Sequence, residues 1–325
     1  MTDEPEINDS ADMAYFELSP DISQRNERLD RYIASELPNL SRSGVQALIE
    51  AGHVLVDCQR RKASFKVTPG EVVAVSVPPL APDDVEPEDI PLEILYEDAD
   101  VIVINKAAGM VVHPAPGHAS GTLVNALRFH AIEIAELDSS RTGIVHRLDK
   151  DTSGVMIVGK HNRAVQFLQD QWLDGSVDKR YVAIAFRAFA EEEAVIDVPI
   201  ARHRTERKRM DAGREGREAL TIASVRERFP KATLLDVDLQ TGRTHQIRVH
   251  LAFIKHPVLG DTVYGTQSST AYSRELGARR QMLHAASLTV ELPVGGGPRT
   301  FTASLPFDIR GVLDKLRAMK EQDDG

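Results

Sequence analysis

Between two glycines, residues 143–154 gather the densest set of reactive side chains in the chain: Gly143-Ile144-Val145-His146-Arg147-Leu148-Asp149-Lys150-Asp151-Thr152-Ser153-Gly154. The stretch that follows, Val155–Lys160, is apolar and β-prone, the composition of a buried strand. A polar loop leading into a buried strand can hold a carboxylate rigidly at the wall of a cleft, as a nucleophile or a base. A charged surface turn would have the same composition, so the side chains alone leave both readings open. Asp149-Lys150-Asp151-Thr152 also imitates the Asp-x-Asp-x-Thr of aspartyl-phosphate phosphatases. That motif should follow an unbroken apolar strand, and His146-Arg147 interrupts the run here.

The elements that must position this loop alternate along the chain. Val101–Asn105, Val155–Lys160, Tyr181–Phe186 and Thr233–Leu239 are predicted strands, and Thr122–His130 and His161–Asp174 predicted helices. Thr244–His256 sets Ile247, Leu251 and Ile254 on one helical face. The mixture predicts an α+β domain built on a sheet. It has no strict βαβ rhythm, no Gly-rich nucleotide loop and no repeat at a fixed period. Further forward, Leu29, Ile33 and Leu37 recur at helical spacing, with Pro38 near the end. Ser41 can cap a second helix carrying Val45, Leu48 and Ile49, which Gly52 ends. Short strands at His53–Asp57 and Glu71–Val77 follow, separated by a turn at Pro69-Gly70. The expected organisation is a flexible acidic arm over 1–24, a small α+β unit over 25–80, a Pro- and acid-rich linker over 81–91, a main domain over 92–318, and a tail over 319–325.

Composition narrows the function classes. A length of 325 residues fits one medium domain and one small one. The single cysteine, Cys58, excludes an intramolecular disulfide framework and a cysteine-rich zinc site. No apolar run approaches the roughly 20 residues of a membrane helix, and the acidic first residues do not read as a signal peptide, so the expected compartment is the cytoplasm. The net charge of −10 is unevenly placed: residues 1–24 hold seven carboxylates, residues 81–100 hold nine, and neither segment has a Lys or Arg. Without those two segments the remainder carries +6, so the globular parts are mildly basic and compatible with a polyanionic partner.

His146-Arg147-Leu148-Asp149-Lys150-Asp151-Thr152-Ser153-Gly154 resembles the signature of the RluA-type family of pseudouridine synthases. Three further stretches agree with that family in order. They are Asn105 to Pro114, Lys179-Arg180-Tyr181, and Gly242-Arg243-Thr244-His245-Gln246-Ile247-Arg248-Val249-His250. Ala107 departs from the pattern, which usually has proline after the lysine. The unit from Arg28 to Val75 resembles an S4 RNA-binding module, with Arg28-Leu29-Asp30 opening its first helix and Leu40-Ser41-Arg42-Ser43 its second.

The resemblance implies a mixed-sheet catalytic domain of the pseudouridine synthase fold, a cofactor-free and metal-free isomerisation of uridine, and Asp149 as the catalytic carboxylate. It implies that Tyr181 stacks on the flipped base, that Arg147 fills the space the base leaves, and that Arg248 pairs with Asp149. A carboxylate in a water-poor pocket tends towards protonation, and a neighbouring arginine opposes that; Arg243 is the competitor for this role. Arg28, Arg42, Arg243 and His146 are expected to meet RNA. In the S4-like unit a solvated mixed-charge face is the alternative, since Glu27, Asp30, Glu36 and Glu50 are interleaved with its arginines. The basic run Arg202–Arg217 reads as an RNA-gripping insertion or as a solvated loop. His146, His245 and His250 lack the His-x-x-x-His spacing of zinc helices and fit structural or RNA-contacting roles better than a metal site. An S4 module ahead of an RluA-type domain is the arrangement of bacterial enzymes acting on large-subunit ribosomal RNA. The implied partner is therefore 23S ribosomal RNA or a large-subunit precursor, met by a monomer with no membrane contact. Joint presence of Asp149, Tyr181 and Arg248 argues against an inactive RNA-binding relic.

Overall fold

A computed structural model of the chain describes residues 14–37, 40, 42–77, 85–113, 120–131, 143–203, 206 and 209–323. The first unit comprises β1 (Ala14–Leu18), α1 (Leu29–Glu36), α2 (Arg42–Ala51), β2 (Val54–Val56), β3 (Gln59–Arg60) and β4 (Val73–Val77). Its antiparallel sheet runs β1-β4-β2-β3. Leu29, Tyr32 and Ile33 of α1 and Val45 and Ile49 of α2 lie at helical spacing and close a core with Val54, Val56, Val73 and Val75. The expected helices and strands are present within a residue or two. The proposed cap Ser41, and Pro38, lie outside the described residues.

One boundary is corrected. The arm expected over 1–24 contains β1, which pairs with β4 from Ala14↔Val77 to Leu18↔Val73 and sets Leu18 against the module's core. Carboxylates around a short β-prone segment concealed it, because one strand with one anchoring side chain hardly alters a charge count.

The main domain contains β5 (Glu93–Glu97), β6 (Val101–Lys106), α3 (Leu123–His130), β7 (Ser153–Gly159), α4 (Asn162–Asp174), β8 (Asp178–Phe186), β9 (Glu193–Asp197), β10 (Ile200–Arg202), β11 (Met210–Ala212), β12 (Leu220–Phe229), β13 (Ala232–Leu239), α5 (Gln246–Phe253), α6 (Gln267–Leu276), β14 (Leu283–Glu291), β15 (Pro298–Thr302) and α7 (Phe307–Asp323). Among the described residues, nine strands form one mixed sheet in the order β5-β6-β7-β14-β8-β13-β12-β9, with β15 added to β14. β7 and β14 pair in parallel through His284↔Ser153 and Ala285↔Gly154. This is the expected α+β architecture.

Strand periodicity sorts the core onto two faces. Ile102, Ile104, Met156 and Val158 pack with Leu123 and Leu127 of α3. The intervening Val101, Val103, Val155 and Ile157 pack with Leu168 of α4. Every residue of β7 is buried, which is why its sequence reads as a continuous apolar run. A larger cluster joins β8 and β13 to α5, α6 and α7.

Two further boundaries shift. Half of the expected 81–91 linker belongs to the main domain: the carbonyls of Val85 and Glu86 accept hydrogen bonds from Arg128 Nη1 (2.9 Å) and Asn125 Nδ2 (2.7 Å) of α3. The tail expected from 319 continues α7 to Asp323, and Met319 packs on the core.

Candidate active site

Asp149 lies in the loop between an isolated bridge at Ile144 and the start of β7. The loop is held by its backbone. The Lys150 carbonyl accepts from Gly109 N–H (2.9 Å) and Lys106 Nζ (3.1 Å), and the Asp151 carbonyl from Arg280 Nη1 (2.9 Å). Thr152 N–H turns back to the Asp149 carbonyl (3.0 Å). Gly154 follows at φ +121°, where a Cβ would lie 2.1 Å from the Ala285 carbonyl oxygen, so only glycine lets β7 approach β14 here. Lys106 is buried, and burial lowers its pKa to about 8 although Asp151 and Asp149 pull the other way. Its Nζ also binds the Ala107 and Met110 carbonyls, so the site where the family usually has proline stays anchored.

Arg248 arrives from the first turn of α5. Every residue from Gln246 to Leu251 in this helix is buried, so its polar side chains must find partners inside. Gln246 Oε1 accepts from Arg243 N–H (2.9 Å), and His250 binds Thr221 Oγ1 (2.9 Å) and the Val198 carbonyl (2.8 Å). Arg248 joins two carboxylates. Its Nη1 donates to Asp149 Oδ2 (2.8 Å), while Nε and Nη2 grip Asp261 Oδ2 and Oδ1 (2.7 and 3.0 Å). Burial disfavours the charged guanidinium, but hydrogen bonds and charge from Asp261, then Asp149, outweigh it and hold the pKa above its ordinary value. Asp149 Oδ1 accepts no hydrogen bond from the described residues and is the oxygen left open; His245 Nε2 stands 3.8 Å from it.

Tyr181, in β8, completes the wall. Burial pushes its phenol well above the usual range, and the Asp149 charge adds to that, so it stays neutral. The cleft shared by Arg147, Asp149, Tyr181, Arg243 and Arg248 has a volume of about 60 Å³ and is open to solvent. Among the lining side chains, Arg147 is exposed.

The fold thus brings together Asp149, Tyr181, Arg248, Arg243 and Arg147. Between the rival arginines the geometry chooses Arg248 as the partner of Asp149; Arg243 instead donates from Nε to the Glu218 carbonyl (2.9 Å). Asp149 and Asp151, paired in the phosphatase reading, face different spaces, since Asp151 lines a separate groove with Lys106 and Arg280. His146 is turned inward. Its Nε2 accepts from Ile157 N–H (3.1 Å), its ring stacks on Trp172 at 4.7 Å, and burial lowers its pKa to about 3. The His146 ring, expected to meet RNA, thus has a strand N–H and an indole as its partners. His245 and His250 have other partners again, so the three histidines form no metal set.

Arg28 and Arg42, half-exposed, both bind buried Asp30, as does Gln46 Nε2 (2.6 Å). Burial opposes the Asp30 charge, yet Arg28, Gln46 and Arg42 together lower its pKa to about 2. Arg204, Arg207 and Lys208 of the basic run lie outside the described residues. Sequence reasoning missed Asp261, Tyr264 and Arg280. A buried aspartate thirteen residues from Arg248 has no marker until the turn after α5 folds back.

Both units of the chain are similar to known proteins. Residues 100–253 match the RNA pseudouridylate synthase family and residues 27–73 the S4 domain. An uncharacterized RNA pseudouridine synthase of Bacillus subtilis, YlyB, is 40% identical over 306 residues, covering 94% of this chain and 99% of that one. Ribosomal large subunit pseudouridine synthase D of Xanthomonas campestris is 40% identical over 302 residues, 91% and 90% of the two chains. The structure of human RNA pseudouridylate synthase domain containing 4 aligns with TM-score 0.56 and 27% identity, over 69% of this chain and 93% of that one. Because such similarity runs through both units and takes in the Asp149 loop, the chain belongs to the RNA pseudouridine synthase family and carries an S4 domain ahead of its catalytic domain.

Proposed function

We propose that this enzyme converts specific uridines of 23S ribosomal RNA, free or in a large-subunit precursor, into pseudouridine, acting as a cytoplasmic monomer with Asp149 as its reacting carboxylate. The reaction opens the bond between ribose C1′ and uracil N1, turns the base and rejoins it through C5. Substrate and product are isomers, so neither oxidant nor co-substrate is consumed and no cofactor is required. The observation that carries the reading is the division of labour at Asp149, whose Oδ2 is fixed by Arg248 while Oδ1 opens to the cleft. A carboxylate oriented by one oxygen and free at the other suits attack or proton removal at a sugar or base held against it.

Tyr181 offers a neutral aromatic face for a flipped uracil, and Arg147 at the mouth can fill the gap left in the RNA stack. Arg28 and Arg42, spread from the single anchor Asp30, present two guanidinium groups to phosphate. Relatives named for the ribosomal large subunit support the choice of 23S ribosomal RNA. The test is to map pseudouridines in ribosomal RNA from cells with and without the gene. Discrete sites in 23S ribosomal RNA should revert to uridine in its absence; an unchanged 23S map, or losses confined to other RNAs, would overturn the substrate assignment.

A further inference from the structure

Tyr264 occupies a junction that the reaction described so far leaves unused. Its ring is buried, with the guanidinium carbons of Arg248 and Arg209 at 5.2 and 5.6 Å from its centre. Its hydroxyl has two polar neighbours among the described residues. They are the backbone N–H of Met210, where β11 begins, and Nδ1 of His245, each 2.9 Å away. A backbone N–H can only donate. The Tyr264 oxygen therefore accepts from Met210, and its own buried proton, which would otherwise have no acceptor among the described residues, is assigned to His245 Nδ1. A histidine whose Nδ1 accepts is neutral and carries its hydrogen on Nε2.

That Nε2 lines the cleft 3.8 Å from the open Asp149 Oδ1. The separation is too long for a hydrogen bond between the two, so donor and carboxylate are both available to a third party. His245 also holds a left-handed backbone conformation, φ 56°, just before α5. Such conformations cost energy in a non-glycine residue and gather at functional sites. The charged groups facing it are Asp149 and Arg147 from the catalytic loop, Arg248 from α5 and Asp261 from the turn beyond. Burial lowers the His245 pKa, and the opposed charges leave it lowered, in keeping with a neutral ring.

We propose that His245, fixed by Tyr264 as its Nε2–H tautomer, is a catalytic donor that hydrogen-bonds a carbonyl oxygen of the uracil held beside Asp149. Tyr264 is the positioning residue, and the β10–β11 hairpin sets it through Met210. The claim rests on Asp149 as the reacting carboxylate. Uracil suits the donor because its O2 and O4 are acceptors, and a neutral N–H aimed at either stabilises charge that moves onto the base as its bond to C1′ opens.

Two carboxamide variants separate a donor from a spacer. In His245→Gln the amide nitrogen reaches the Nε2 position; in His245→Asn the amide reaches only the Nδ1 position and keeps a partner for Tyr264. On a 23S ribosomal RNA fragment, His245→Asn should lose about 10²–10³-fold in kcat with KM little changed, the scale of one lost donor. His245→Gln should lose distinctly less. Equal kcat values, or the reverse ranking, would overturn the proposal.

Nitrogen-15 spectra of the imidazole rings supply a readout independent of turnover. The His245 signal, identified by its absence from both variants, should show a bare Nδ1 and a protonated Nε2 near neutral pH, in wild type and in Asp149→Asn alike. Tyr264→Phe should give a mixture of tautomers and, by removing the donor that favours the neutral ring, shift the acidic limb of the rate profile upward in pH. A proton on Nδ1 in the wild type would overturn the tautomer assignment. Activity of Asp149→Asn would instead remove the Asp149 reading while leaving the tautomer result standing.

Discussion

Replacing Arg248 with alanine should unfold the site more through Asp261 than through Asp149. Asp261 is the fully covered partner, with a side chain 0% exposed against 21% for Asp149, and Arg248 itself is 6% exposed. Asp261 Oδ1 also accepts from Val263 N–H (2.9 Å) and Tyr264 N–H (3.1 Å), so its position is fixed and it cannot swing out to water. Removing one partner of a buried pair typically costs about 3–5 kcal/mol, because the other charge stays behind uncompensated. Arg248→Ala should therefore lose about that much in urea unfolding of the catalytic domain. Adding Asp261→Asn removes the stranded charge and keeps an oxygen for the two backbone donors, so most of the loss should return. Turnover should not return, since Asp149 Oδ2 still lacks its guanidinium. A loss below about 1 kcal/mol, the scale of an exposed pair, or no recovery in the double variant, would refute the stranded-charge reasoning. Recovery of both stability and activity would show that Arg248 merely supports the turn.

In the S4 module, the Asp30 pKa falls from 3.8 to about 2, a difference worth about 2 kcal/mol. Its folded pKa lies below its unfolded one, so this stabilisation is complete above pH 3.8 and fades as pH falls towards 2. Asp30→Asn should destabilise the module by about that amount at pH 7 but hardly at pH 2, and flatten the salt dependence of RNA binding as Arg28 and Arg42 lose their anchor. Unchanged unfolding and an unchanged salt slope would refute it. His146 behaves in the opposite sense to a paired base: neutral in the folded protein down to about pH 3, it takes a proton near 6.5 once unfolded. Stability should therefore decline from pH 6.5 towards 3, and His146→Gln, which can still accept from Ile157 N–H, should flatten that decline in unfolding curves recorded across the range.

Much of this fold was legible because its elements advertise themselves. β7 is buried on both faces and reads as an unbroken apolar run, and α1 repeats Leu29 and Ile33 at helical spacing. β1 was not legible, because its contribution is pairing with β4, a contact with residues some sixty positions away. Within the site, Asp149, Tyr181 and Arg248 sit in recognisable local patterns. Asp261 and Tyr264 act only through what folding brings to them, a guanidinium in one case and a hairpin amide in the other. His146 shows the converse case. Its neighbours Arg147 and Asp149 line the cleft, but the loop turns the His146 ring the other way, onto Trp172 and the Ile157 amide.

The proposed role of the Asp149 carboxylate in making pseudouridine meets its most direct test in tritium release from 5-tritiated uridine in a 23S ribosomal RNA fragment under single-turnover conditions. The label leaves C5 when that carbon takes the bond to C1′, so release counts product. Wild-type enzyme should release tritium to completion at its target sites. Asp149→Asn, which keeps the shape and loses the charge, should release none while binding the fragment within a few fold of wild type. Release by a pure Asp149→Asn preparation at a rate near that of the wild type would contradict the account.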